Sequence, residues 1–273
     1  MVRLSKRRTN MPKKFRIACH LIPWQGEQNK NLEKVLGEVR DAGYEGVEGL
    51  SADSPERLVE IARIAATFGL HIINVGGPSP EKKIDYNITL GNDASEVSGC
   101  GRANFGGPNP TEQDFINAAR TLDEITAYAV KYNIKPFHHA HLGTMIETAE
   151  DADMMLKHAP NLTLLLDTGH ILAAGSDPMK AIKSHANRIG HVHLKDFWAV
   201  DPKRWNHRKN KWWDEGRFAE LGKGNMGMNI AEVLQGLENA GYDGWISVEL
   251  DRAERAVPVA AKANRDYLKS LGY

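Results

Sequence analysis

Beyond Lys14, the chain alternates between short apolar runs and longer stretches in which apolar residues recur at helical spacing. This alternation is typical of α/β proteins, in which a helix follows each strand. The apolar runs predict seven strands, over Phe15–His20, Gly46–Leu50, His71–Val75, Lys135–His141, Thr163–Asp167, Ile189–Lys195 and Trp245–Leu250.

Helices are predicted between these strands from their start and stop signals. Ser54 followed by Pro55 marks a helix start, and the repeated sequence AGY(E/D)G at Ala42–Gly46 and Ala240–Gly244 marks a glycine helix end before a strand. The predicted helices are Asn31–Ala42, Pro55–Phe68, Glu112–Lys131, Thr148–Lys157 and Ile230–Ala240.

The number of strand–helix units indicates a TIM (β/α)8 barrel. An eighth strand has to come from Ser79–Asn104, where Glu96–Arg102 is the best candidate. A chain of 273 residues suits one such barrel, and we expect a single domain over residues 15–273 with a long loop at 197–228. Residues 1–14 are basic and lack an apolar segment, so they predict a disordered tail rather than a secretion signal.

Several strands carry polar residues on the face that points into the barrel. Because successive strand side chains alternate, an outward Ile246 and Val248 send Glu249 inward. The same argument turns these residues inward: His20, Glu48, Asn74, Asp167, His191 and His193, while Phe137, His139 and His141 share one face. These positions lie near the carboxyl ends of their strands, where barrel enzymes hold their chemistry. A divalent metal ion would offset so many converging acids and imidazoles.

Composition and charge exclude other classes of protein. The 35 basic and 35 acidic residues cancel, which gives no electrostatic sign of a nucleic-acid partner or an anionic membrane surface. No apolar stretch approaches the roughly 20 residues of a membrane helix. Two cysteines, Cys19 and Cys100, do not make a disulfide framework, so we predict a cytoplasmic protein.

Four motifs carry a resemblance to a known family. They are HxHxGTxxE (His139 to Glu147), LLLDTGH (Asp167, His170), HVHLKD (His191 to Asp196) and WISVELD (Glu249). In this order the motifs resemble the xylose-isomerase-like TIM barrels, the sugar phosphate isomerase/epimerase superfamily. That superfamily also contains ketose 3-epimerases, inosose dehydratases and AP-type endonucleases.

The resemblance implies a metal site that includes Asp167, His193 and Glu249. The family's first strand-end glutamate is replaced here by the HxH pair, so the fourth ligand is Glu147, which we favour, or else His139 or His141. Mixed carboxylate and imidazole ligands suit Mn²⁺, the expected ion, or Mg²⁺ or Co²⁺, and Zn²⁺ also fits such ligands. Taken singly, Asp167 also suits a helix N-cap, His193 a buried core histidine and Glu249 a salt-bridged carboxylate.

The remaining candidates are assigned to substrate and proton transfer. We expect His139 and His141 to polarise the substrate or move a proton, with Glu249, Glu147, His141 and Lys195 as candidate bases. Substrate contacts are expected from His20, Glu48, His170 and Arg217, although packing explains His170 equally well. Tryptophans among basic residues in the 197–228 loop fit a lid, a subunit contact or, in the endonuclease branch, a nucleic-acid surface; they are Trp198, Trp205, Trp212 and Trp213.

These residues predict a divalent-metal-dependent enzyme that acts on a small sugar or polyol. Removal of the proton next to a carbonyl gives an enediolate, and its reprotonation gives epimerisation or isomerisation. Loss of a β-substituent from the same enediolate gives the alternative, an inosose or keto-glycoside dehydratase or lyase. An AP-type endonuclease and a catalytically silent sugar-binding barrel are further alternatives, and the family resemblance implies a possible homo-oligomer.

Overall fold

Eight parallel strands close almost completely around a common axis in the computed structural model, which describes residues 15–97, 100–102 and 108–273. The ten strands in chain order are β1 (Arg16–His20), β2 (Gly46–Ser51), β3 (His71–Gly76), β4 (Ala94–Glu96), β5 (Lys135–His139), β6 (Thr163–Asp167), β7 (Ile189–Leu194), β8 (Asp196–Ala199), β9 (Gly216–Ala219) and β10 (Trp245–Val248). The barrel order is β3-β2-β1-β10-β7-β6-β5-β4, and β8 pairs with β9 in a separate antiparallel ribbon. The predicted TIM barrel is therefore confirmed.

Helices connect the strands, and the five predicted ones are present to within a residue at each end. The α-helices of the described residues, in chain order, are α1 (Leu32–Ala42), α2 (Pro55–Thr67), α3 (Pro80–Thr89), α4 (Glu112–Lys131), α5 (Ala149–His158), α6 (Thr168–Ala173), α7 (Pro178–Ser184), α8 (Ile230–Asn239) and α9 (Val257–Ser270). Within the described ranges, no helix has both the length and the apolar character needed to cross a bilayer.

Local sequence signals explain these boundaries. The Ser54 hydroxyl accepts a hydrogen bond from the Arg57 amide at the start of α2, and Thr148 forms a capping box with Asp151 at the start of α5. Gly43 (φ 94°) and Gly241 (φ 74°) adopt the left-handed conformation after α1 and α8, which residues with a side chain disfavour. The repeated AGY(E/D)G sequence therefore makes the same turn into a strand twice.

The strand faces divide as the alternation of residues predicts. Outward residues such as Ile17, Val192 and Ile246 belong to the main core between the strands and the helices. Farther from the carboxyl ends of the strands, inward residues form two small clusters, which are Ala18 with Ile73 and Trp245, and Ala94 with Phe137 and Leu165. The inward positions nearer the carboxyl ends are polar, and they form the site described below.

The eighth strand is not where the sequence suggested. It is the three-residue β4, Ala94–Glu96, which shares only Glu96 with the predicted 96–102, and residues 98–99 of that prediction lie outside the described part of the chain. Polar residues hid the strand, because Ser95, which faces α3, is buried and polar, and its hydroxyl accepts a hydrogen bond from Asn87 Nδ2 at 3.2 Å. Apolar periodicity cannot find a strand whose buried residues are polar.

The long loop after β7 is folded against the barrel. Its β8–β9 ribbon places Phe197 and Phe218 in a second apolar cluster, against which Trp205 and Trp212 pack. The Asp196 carboxylate accepts hydrogen bonds from the amides of Gly222 and Gly224, both at 3.0 Å, and so holds the end of the loop near its start.

Candidate metal centre and active site

Four side chains from three barrel strands and the end of β10 meet at the mouth of the barrel. They are His139, Asp167, His193 and Glu249, and one potential ligand atom from each lies within 4.8 Å of the others. His139 Nε2 is 3.2 Å from Asp167 Oδ2, and His193 Nδ1 is 3.6 Å from the same oxygen. His193 Nδ1 is 2.5 Å from Glu249 Oε2. The predicted trio of Asp167, His193 and Glu249 is thus brought together.

The chemistry of this group fits a divalent metal ion. Among the described residues, His193 Nδ1 and Glu249 Oε2 are buried atoms without an acceptable hydrogen bond, in spite of their short separation. Buried polar atoms are normally satisfied, so this pair calls for a partner of another kind. Two imidazoles and two carboxylates are a donor set suited to Mn²⁺, Co²⁺ or Zn²⁺.

Asp167 contacts both the four-residue group and the backbone at the start of α6. Its Oδ1 accepts a hydrogen bond from the His170 amide at 2.8 Å and caps α6, while its Oδ2 faces His139 and His193. Burial opposes ionisation of Asp167, but Lys195 and His170 outweigh it and hold the pKa of the carboxyl well below its usual value. The N-cap and the ligand interpretations are therefore compatible.

Glu48 orients His193, one of the two histidines of the group. Its Oε2 is 3.0 Å from His193 Nε2 and 3.0 Å from His191 Nε2, and its Oε1 accepts a hydrogen bond from Asn74 Nδ2 at 3.0 Å. Burial lowers the pKa of His193, but the charges of Glu48 and Glu249 raise it well above the usual value. A carboxylate on one ring nitrogen leaves the other, Nδ1, directed at Asp167 and Glu249.

Lys195 lies beneath the group with a completely buried side chain. Its ammonium is 2.9 Å from Glu249 Oε1, 2.7 Å from Asp251 Oδ1 and 3.7 Å from Asp167 Oδ2. Burial lowers the pKa of this amine, but the three carboxylates raise it above its usual value. Lys195 is thus held in its charged form and fixes one oxygen of Glu249.

The HxH pair is divided between two environments. His139 belongs to the four-residue group, and burial lowers its pKa. The His141 ring lies 3.6 Å, centre to centre, from His170, and its Nδ1 is 2.7 Å from the Leu142 carbonyl oxygen. A carbonyl only accepts hydrogen bonds, so Nδ1 of this ring is the donor and bears a proton.

A cavity of about 320 Å³ opens above the group, at the lower end of the range for small-molecule sites. Its polar lining residues are His20, Glu48, Asn74, Lys83, Glu96, His139, His141, His193 and Glu249. Two predicted substrate residues, His20 and Glu48, are therefore at the cavity. The other two, His170 and Arg217, are not among its lining residues.

The structure places three expected site residues elsewhere. Glu147, the favoured fourth ligand, is buried among Arg102, His207 and Arg208, whereas His139, one of the two alternatives, belongs to the four-residue group. Arg217 stacks on Trp198, with its guanidinium 3.9 Å from the ring centre, and pairs with Glu254. His170 is buried with its Nε2 3.2 Å from the Lys195 ammonium.

Other residues of the site escaped the sequence analysis. Lys83 and Glu96 lie in the stretch of the sequence with the weakest pattern, and Asp251 follows Glu249 beyond the end of β10. His191 was predicted to face inward but was given no role, although it shares Glu48 with His193. Strand alternation was the signal that pointed to His191, and no pattern in the sequence pointed to Lys83 or Asp251.

Comparisons with known proteins agree with this fold. The profile of the family described as xylose isomerase-like TIM barrel matches residues 36–271. The chain is 26% identical to the rhizopine catabolism protein MocC of Rhizobium meliloti, over 87% of this chain and 82% of that protein. It is 29% identical to an inosose dehydratase of Lactiplantibacillus plantarum, over 85% of this chain and 84% of the relative.

Solved structures show the same fold at lower sequence identity. A D-psicose 3-epimerase from Clostridium cellulolyticum H10, solved with D-tagatose, superposes with a TM-score of 0.70 at 14% identity, over 94% of this chain and 99% of that one. With the family profile covering most of the barrel, the conclusion is direct: the chain belongs to the xylose isomerase-like TIM barrel family.

Proposed function

We propose that this protein is a divalent-metal-dependent enzyme that removes the proton next to the carbonyl of a keto sugar or related polyol. The observation that carries the proposal is the group of His139, Asp167, His193 and Glu249, with the unsatisfied His193 Nδ1 and Glu249 Oε2, at the base of a polar cavity. Relatives named as inosose dehydratase and structural neighbours named as sugar epimerases support a small keto sugar or polyol as the substrate class.

The four residues of the group are the proposed metal ligands. His139 takes the position for which Glu147 was expected, and Mn²⁺ is the ion we expect them to hold. When bound, such an ion acts as a Lewis acid that polarises the substrate carbonyl and offsets the negative charge that develops on its oxygen.

His141 is the proposed base. Its Nδ1 proton is committed to the Leu142 carbonyl, so the lone pair of Nε2 is available at a ring that lines the cavity. The proton leaves the substrate carbon for Nε2, and the C–H electron pair becomes the double bond of the enediolate. Protonation of the opposite face by an acid other than His141 gives an epimer, and return of the proton from His141 to the neighbouring carbon gives an isomer.

Lys195 and Glu48 position the ligands in this account. The Lys195 ammonium binds Glu249 Oε1, which leaves Glu249 Oε2 free to act as a ligand in the group. Because neighbouring carboxylates raise the pKa of Lys195 and keep it protonated, this lysine does not act as a base. Glu48 accepts a hydrogen bond from His193 Nε2 and so fixes the ring's tautomer.

Dehydration of an inosose is the second candidate, and the relative named as inosose dehydratase favours it. After the first proton transfer, His141 is protonated and lines the same cavity, so it can return that proton to a departing β-hydroxyl. The C–O bond breaks, its electron pair leaves with the hydroxyl as water, and an unsaturated ketone remains. One histidine therefore serves both steps of a syn elimination.

Product analysis separates the candidates. The protein, supplied with Mn²⁺, is incubated with scyllo-inosose and with neutral and phosphorylated ketoses, and the products are identified by NMR after the metal has been removed. Loss of water from inosose selects the dehydratase, whereas epimeric or isomeric sugars select the epimerase class. A protein that changes none of these carbonyl compounds contradicts the proposal.

The endonuclease alternative receives little support from the loop at 197–228. Trp205 and Trp212 pack against Phe197 and Phe218, and Arg208 pairs with Glu147. Because these aromatic and basic groups contact other residues of the protein, they do not form a stacking surface for nucleic-acid bases.

A further inference from the structure

One ion pair stands in the cavity apart from the metal group. Lys83, on α3, and Glu96, at the end of β4, lie with Nζ and Oε2 2.6 Å apart. Both residues line the cavity that His139, His193 and Glu249 also line. Their side chains are 15% and 30% exposed, whereas those of Asp167, His193 and Glu249 are at most 5% exposed, so the pair faces the solvent-filled part of the cavity.

The pair leaves the cavity without an unpaired lysine or arginine among the described residues. Of the described residues that line it, Lys83 is the single lysine or arginine, and Glu96 neutralises its charge. Burial opposes ionisation of Glu96, but Lys83 outweighs it and lowers the pKa of the carboxyl, so this carboxyl is ionised at neutral pH. A phosphate group would meet Glu96, Glu48 and Glu249 without an unpaired lysine or arginine to receive it.

The pair can nevertheless bind hydroxyl groups. An ammonium has three donors and a carboxylate has about four acceptor positions, so each partner keeps its ionic contact and can still bind one neighbouring hydroxyl. A donor and an acceptor side by side match a vicinal diol, in which one oxygen accepts and the next hydroxyl donates. Glu96 ends β4, which lies next to β5 and its His139 and across the barrel from β10, after which Glu249 follows.

We propose that the Lys83–Glu96 pair is the specificity determinant of the site and binds a vicinal diol of a neutral, unphosphorylated polyhydroxy ketone. The inference rests on the proposed function for the position of the reacting carbonyl. It adds the class of substrate and the two residues that select it.

Binding measurements test the pair separately from turnover. Calorimetric titrations use scyllo-inosose, D-fructose and D-fructose 6-phosphate with the wild-type protein and the Lys83→Met and Glu96→Gln variants. We expect either substitution to weaken binding of the preferred neutral ketone at least tenfold, because one side of the diol loses its partner. Glu96→Gln should also strengthen binding of fructose 6-phosphate relative to fructose, since it frees the Lys83 charge.

Lys82→Met is the matched control, because Lys82 is the neighbouring residue on α3 and its exposed ammonium pairs with Asp85. It should bind the ketones like the wild-type protein. The proposal is overturned if Lys83→Met and Lys82→Met behave alike, if the wild-type protein prefers the phosphorylated ketose, or if it binds neither neutral probe. Retained selectivity without any turnover would instead reject the proposed function and leave the diol site standing.

Discussion

His193 Nδ1 and Glu249 Oε2 lie 2.5 Å apart at the mouth of the barrel, both buried and neither in an acceptable hydrogen bond among the described residues. The proposed metal ion, shared by the two atoms, would account for this contact. We predict that Glu249→Gln lowers the affinity for Mn²⁺ at least 100-fold, because a neutral amide oxygen replaces an anionic ligand. Titration of metal-stripped protein with Mn²⁺ measures the loss, and circular dichroism checks that the barrel remains folded. Unchanged affinity would remove Glu249 from the ligand set.

Glu48 should influence metal affinity without being a ligand. Glu48→Gln removes the charge that faces His193 Nε2 and weakens control of the ring's tautomer, so we expect a 10- to 100-fold loss of Mn²⁺ affinity. Glu60→Gln serves as the control, since Glu60 is an exposed partner of Arg57 on α2. Equal Mn²⁺ affinities for the two variants would show that Glu48 does not act through His193.

Substitution of the proposed base should separate turnover from metal binding. His141→Ala is expected to keep Mn²⁺ affinity within about threefold of wild type and to lower kcat by about 10²- to 10⁴-fold, the usual contribution of a general base. Loss of the metal in this variant would instead make His141 a ligand. Wild-type kcat would assign the proton transfer to another group.

Glu147 should stabilise the protein in a pH-dependent way. Burial raises its pKa, but His207, the Gly143 amide and Arg102 lower it from 4.5 to about 2. A carboxyl whose pKa is lower in the folded state stabilises the fold above pH 4.5 and loses this contribution as the pH falls towards 2. Its size is about 2 to 3 kcal/mol.

The Glu147→Gln variant tests this contribution through urea unfolding at several pH values. The variant should be less stable than wild type at pH 7, and the difference in the free energy of unfolding should shrink steadily below pH 4. Glu150→Gln, at an exposed position of the next helix, should show a much smaller difference. A constant difference at all pH values would mean that the charge of Glu147 is not responsible.

Much of the fold and part of the site could be predicted because both follow from strand alternation. An inward side chain at the carboxyl end of a barrel strand points into the mouth of the barrel. This rule was enough to predict that Asp167, His193 and Glu249 lie together. The N-cap Ser54 and the turn at Gly43 likewise depend on neighbouring residues alone. Such local rules are readable from a single sequence.

Contacts made by loops could not be predicted in the same way. Glu147 follows β5 by several residues, and its direction depends on Arg102 and Arg208, which come from distant parts of the chain. Glu96 ends a three-residue strand in which Ser95 and Glu96 are both polar, so the apolar pattern misplaced it. The path of a loop and the partners it meets are set by tertiary packing, which periodicity does not encode.

Hydrogen–deuterium exchange at the substrate carbon is the measurement that tests the central claim most directly. scyllo-Inosose and fructose are incubated in D₂O with Mn²⁺-loaded wild-type protein, metal-stripped protein and the Asp167→Asn variant, and the label is measured by mass spectrometry. We predict that deuterium enters next to the carbonyl of at least one of these compounds with the loaded wild-type protein only. Exchange of equal rate in all three samples, or in none, would contradict metal-dependent proton removal at this site.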